Sequence, residues 1–169
     1  MDPVAPPTLE ENKEKARSAV LLASQAAEEF HQDFKAFLSQ VYNPGTWKEG
    51  VKLVMDGGLG LLKDLQEMIT QGNWTPDKLV LRLNADLEQM VQKHPELQVQ
   101  WDNVKVSFNF AKMKTDEALA RMEEIAKLEY GKFDQGQVVK AVWSGVREEI
   151  KMDVSKLLSR FNHKETPNG

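Results

Sequence analysis

The sequence predicts an all-α protein, an antiparallel helical bundle of four to five amphipathic helices spanning approximately 8–42, 46–71, 75–93, 95–130 and 137–162. Three observations predict it. Apolar residues recur at steps of three and four through five successive segments, which stacks them on one stripe of each helix. Capping and breaking residues fall between those segments, where helices start and stop. Stripes of this kind joined by short loops bury best side by side, at shallow crossing angles.

Pro3, Pro6 and Pro7 make residues 1–7 an extended leader. Thr8 followed by Glu11 has the capping-box spacing that satisfies orphan N–H groups at a helix start. The first stripe reads Ala16, Val20, Ala23, Ala27, Phe30, Phe34, Phe37 and Val41, on a rod roughly 50 Å long at 1.5 Å per residue. Asn43-Pro44-Gly45 turns the chain, because Pro disfavours helix in the residue before it and Gly tolerates positive φ.

Thr46 with Glu49 repeats the capping pattern, and Trp47, Val51, Val54, Gly58, Leu62, Leu65 and Ile69 stripe the second helix up to Gly72, a natural left-handed terminator. Thr75-Pro76 restarts a helix with a cap and a Pro at its first position, and Leu79, Leu83, Leu87 and Met90 follow. His94-Pro95 breaks or sharply bends the chain. The fourth stripe then runs from Leu97 through Trp101, Val104, Phe108, Ala111, Thr115, Ala118 and Met122 to Ile125.

Val104, Val106, Phe108 and Phe110 also alternate as a strand would, but a lone strand has nothing to pair with. Helix is the expectation there. Gly131 to Gly136 forms the last connection, and Val139, Trp143, Val146, Ile150, Val154, Leu157 and Phe161 stripe the fifth helix. Residues 8–162 read as one domain, and 163–169, with Pro167, as a disordered polar tail.

Composition narrows the function classes. The 169 residues include no cysteine, which removes disulfides, thiolate metal sites and cysteine nucleophiles. Lys and Arg number 22 against 26 Asp and Glu, interspersed in sign, for a net charge of −4. Nucleic acid, whose phosphates attract clustered positive charge, is therefore not an expected partner. The first residues lack a secretory signal, and no apolar run reaches membrane-spanning length, so a soluble, cytoplasmic protein is the expectation.

Glu28 and His31 have the E-x-x-H spacing that di-iron bundles use, but such bundles need it twice, with a Glu from each of two further helices. Neither His94 nor His163 has a Glu three residues before it. The expectation is a solvated His31 and no metal or other cofactor. No nucleophile elbow or catalytic loop is present, so no catalytic residues are assigned and the chain is not expected to be an enzyme. Gly57-Gly58-Leu59-Gly60 follows no strand and lacks the context of a phosphate-cradling loop. Each glycine nonetheless costs a helix interior about 1 kcal/mol relative to Ala. Close helix packing, a hinge and a ligand pocket are the three reasons open for Gly57, Gly58 and Gly60.

Leu21 and Leu22 lie off the first stripe, so that helix is apolar over a wide arc. Together with the three glycines they form the candidate patch or pocket rim. Lys140, Arg147 and Lys151 flank the fifth stripe, where basic side chains reach from an apolar surface to anionic headgroups.

The expected function is non-enzymatic: a helical bundle presenting a groove or face to a protein partner. The alternatives are an amphipathic bundle that binds lipid or another apolar ligand, and a membrane-inserting bundle. In architecture the chain resembles the exchangeable apolipoproteins of insects, through its cysteine-free composition, length, five amphipathic helices and the junction Gln92-Lys93-His94-Pro95-Glu96. That resemblance implies helices that open onto a lipid surface; the aromatic content and the glycine cluster depart from it.

Overall fold

A computed structural model of the chain describes residues 8–42, 52, 54–71, 75–129, 131 and 134–165. The fold is an all-α helical bundle. Its helices are α1 (Leu9–Tyr42), α2 (Leu59–Thr70), α3 (Pro76–Lys93), α4 (Leu97–Leu128) and α5 (Gln135–Glu165), and a π-helical turn over Val54–Gly58 leads into α2. The leader at 1–7, the Asn43-Pro44-Gly45 turn, the Thr46 cap and Gly72 lie outside the described residues.

Helix starts follow from the caps. The Thr8 hydroxyl accepts from the Glu11 N–H at 3.1 Å, and that of Thr75 from the Lys78 N–H at 3.2 Å, with Pro76 at the first helical position of α3. At α5 the Asp134 carboxylate accepts from the Gly136 N–H at 2.9 Å, so this helix begins before the expected residue 137. It also continues through His163 to Glu165, three residues past the expected end at 162. Between α3 and α4, His94 leaves helical geometry at φ −132 and ψ 72, so these are two helices.

Two stretches decide between readings that periodicity alone left close. Val104 and Phe108 are buried while Val106 and Phe110 are exposed on the same helix, which is what a helical stripe gives. The Gly57-Gly58 segment, in contrast, is not regular α-helix. Gly57 adopts φ +125, a conformation L side chains rarely enter, and the chain makes a π turn before α2 starts. Tyr42, at the end of α1, donates its hydroxyl to the Gly58 carbonyl at 2.5 Å, satisfying an acceptor where the ladder is irregular. Burial pushes the Tyr42 phenol well above its usual range.

The chain packs as two compact units, residues 1–30 with 107–145 and residues 31–106 with 146–169. In the first, Ala16, Ala23, Ala26 and Ala27 of α1 and Ala111 and Ala118 of α4 are buried small residues. Phe30, Phe108 and Trp143 form its aromatic centre, with ring centroids 5.6, 5.7 and 6.2 Å apart in tilted and edge-on arrangements. In the second, Phe34 and Phe37, the leucine rows of α2 and α3, Trp101 of α4, and Val146, Ile150 and Val154 of α5 are all buried, and the Phe34 and Phe37 rings lie 6.5 Å apart. The Phe37 and Trp101 rings meet at a tilt with centroids 5.5 Å apart, and the Trp101 indole donates to Asn84 at 2.8 Å.

Candidate functional site

Leu21 and Leu22 stand exposed on α1, at 59% and 49%. Both are outside the core row because Ala23, Ala26 and Ala27 already fill the inward side of that turn. Leu22 lines an open groove between α1 and α4 of the first unit, together with Ser18, Ala19 and Ala120. Around this apolar floor stand Glu11, Glu14, Lys15, Glu117, Arg121 and Glu124, four acids against two bases. Glu14 pairs with Arg17 at 3.0 Å, Glu117 with Lys114 at 3.3 Å and Glu124 with Arg121 at 4.0 Å. All three pairs are solvated neighbours on one helix, worth at most about 0.5 kcal/mol each. They leave the rim free to rearrange.

The glycines occupy a different place. Gly57 and Gly60 line a small recess in the second unit with Asp64 of α2 and Ala85, Asp86 and Met90 of α3. Gly58 is buried and serves as the link to Tyr42. A methyl group at Gly57 would sit 3.2 Å from the Met90 side chain, whereas nothing lies within 4 Å of one at Gly60. Gly57 therefore answers to backbone geometry and close approach, and Gly60 to neither. Within the recess, burial pushes the Asp86 carboxyl up to about 6; a hydrogen bond with Asp64 and its negative charge add to the shift, and Arg82 opposes it. Arg82 is itself held by Asp64 at 3.2 Å.

Arg147 does not stand as one of a row of solvated bases. Its guanidinium donates to the Ile69 carbonyl at 2.8 and 3.3 Å and to the Gln71 carbonyl at 3.1 Å, capping the end of α2 with its fork of donors. Lys140 and Lys151 are exposed.

His31 is a correction to the sequence-based expectation. Its ring is buried, not solvated: residue exposure is 4%, with Nδ1 at 2.6 Å from Glu149 Oε2 and Nε2 at 2.9 Å from Asp153 Oδ2. Glu149 and Asp153 are one turn apart on α5, so their carboxylates flank the ring from two positions on one helix face. The partners of His31 on α5 carry no local signature that links them to α1, and they are missed without tertiary structure.

No family model, no curated protein and no solved structure matches this chain.

Proposed function

We propose that the protein is a non-enzymatic interaction module whose α1–α4 groove takes an amphipathic helix of a partner protein, apolar along one row and basic along its flanks. The observation that supports this reading is Leu22, half exposed on a groove floor otherwise made of small residues and rimmed by an excess of acids. A helix seated in a groove presents apolar anchors one turn apart. Ala19 and Ala120 leave room for such anchors, and Leu22 offers them apolar surface that water covers in the free protein. The acidic excess favours Lys and Arg on the flanks of the incoming helix, and adds to encounter rate and selectivity more than to affinity. The sequence holds no catalytic motif to favour chemistry at this groove.

The test uses two labelled synthetic helices with the same leucine row, one flanked by Lys and one by Glu, followed by fluorescence anisotropy. The Lys-flanked peptide binds and the Glu-flanked peptide does not. Leu22→Glu, a change at an exposed position that leaves the fold intact, weakens binding at least tenfold, about 1.4 kcal/mol. Equal binding of both peptides, or no effect of Leu22→Glu, overturns the proposal. Phosphatidylserine vesicles form a third arm: a shift of Trp emission to shorter wavelength with vesicles, without peptide binding, would replace it with the lipid reading.

A further inference from the structure

We propose that His31 and Glu149 are ligands of a divalent transition-metal ion, Zn²⁺ by preference, with Asp153 orienting the imidazole. The argument starts from the ring. Asp153 Oδ2 lies 2.9 Å from Nε2, and an ionised carboxylate only accepts, so Nε2 carries the hydrogen. In that tautomer Nδ1 presents a lone pair. It faces Glu149 Oε2, a second acceptor, at 2.6 Å. Two lone pairs at that separation require a cation between them, either a proton or a metal ion.

The surroundings suit the metal ion. A carboxylate on the far nitrogen of a ligating histidine is the usual outer partner in zinc sites; it fixes the tautomer and raises ligand basicity. On α1, Glu28 stands one helical turn before His31 and is a further carboxylate on that helix face. One imidazole with carboxylate oxygens is a donor set that Zn²⁺ accepts in four-coordination, with water completing the shell. Bonds of about 2.0–2.1 Å at a tetrahedral angle place N and O donors about 3.3 Å apart, so Glu149 must withdraw by about 0.7 Å. Its side chain is 43% exposed and has room to do so, while the ring, 6% exposed, stays fixed.

The full chain, stripped with a chelator, is titrated with Zn²⁺ alone by calorimetry and with Co²⁺ by visible absorbance. Saturable binding at one site is expected, with the ¹⁵N resonance of His31 Nδ1 moving and that of Nε2 keeping its proton. Glu149→Gln removes a ligand and abolishes the cobalt spectrum. Asp153→Asn keeps the ligands and weakens affinity about 10–100-fold. Both substitutions fall on partly exposed side chains, and circular dichroism verifies that the helices persist. No saturable binding by the parent, or unchanged affinity in both variants, overturns the proposal and leaves the proton as the bridging cation.

Discussion

The indole N–H of Trp143 on α5 donates to the hydroxyl of Thr115 on α4 at 3.1 Å, and that hydroxyl in turn donates to the Ala111 carbonyl at 2.8 Å. Both side chains are buried, so the hydroxyl passes one hydrogen bond on and leaves no polar atom of the pair unserved. Thr115→Val keeps the shape and removes the acceptor. An unfolding curve in urea is expected to show a loss of about 1–3 kcal/mol, the cost of a stranded indole donor, while Thr115→Ser stays within about 1 kcal/mol of the parent.

Arg147 holds the end of α2 through three hydrogen bonds to two carbonyls. Arg147→Met keeps most of the stem and removes every donor. The expected cost is about 1–2 kcal/mol, concentrated at the carbonyls of Ile69 and Gln71. Hydrogen exchange checks this: amides in the last turn of α2 lose protection before those of α4. Arg147→Lys restores only part of it, because an ammonium group lacks the planar fork that reaches both oxygens.

Asp86 supplies the pH dependence. Its carboxyl titrates at about 6 in the folded protein, against an ordinary value near 3.8. Between those values the folded chain binds more protons than the unfolded one, so stability is greatest below the window and falls as pH rises through it. Asp86→Asn removes this slope. The variant is expected to be more stable than the parent above about pH 6, by less than about 1 kcal/mol because the partly exposed site is screened by solvent. Chemical melts at several pH values across the window verify it; a parent that gains stability as pH rises there contradicts it.

Two glycines three residues apart respond oppositely to the same change. Gly57→Ala forces a methyl group onto a backbone at φ +125 and against Met90, at a cost of about 1–3 kcal/mol. Gly60→Ala adds a methyl group in open space on α2 and gains about 0.5–1 kcal/mol from helix propensity and a less flexible unfolded chain. Thermal melts of the two variants are expected to move in opposite directions.

Much of the architecture was legible because each helix declares its inward side locally. Thr75-Pro76 caps α3 by the chemistry of two adjacent residues, and Val104 and Phe108 separate from Val106 and Phe110 by period alone. The π turn was not legible. Val54, Gly58 and Leu62 keep helical spacing, and only the φ of Gly57 reveals the irregularity. The burial of His31 is not legible for a related reason: it adjoins Phe30 at the edge of the stripe, and the stripe shows one side of α1 while Glu149 and Asp153 arrive from α5. Leu22 lies off the core row by spacing alone and is exposed, but the acids opposite it on α4 become its neighbours only through packing.

Trp143 belongs to the unit of residues 1–30 and 107–145, and Trp101 to the other. Each is an intrinsic chromophore with its own buried surroundings and its own acceptor, Thr115 in one case and Asn84 in the other. Phenylalanine replacements that leave a single indole would let emission report one half of the molecule at a time. Superimposable transitions would mean that the long helices transmit disorder from end to end, and offset ones that the chain melts in instalments.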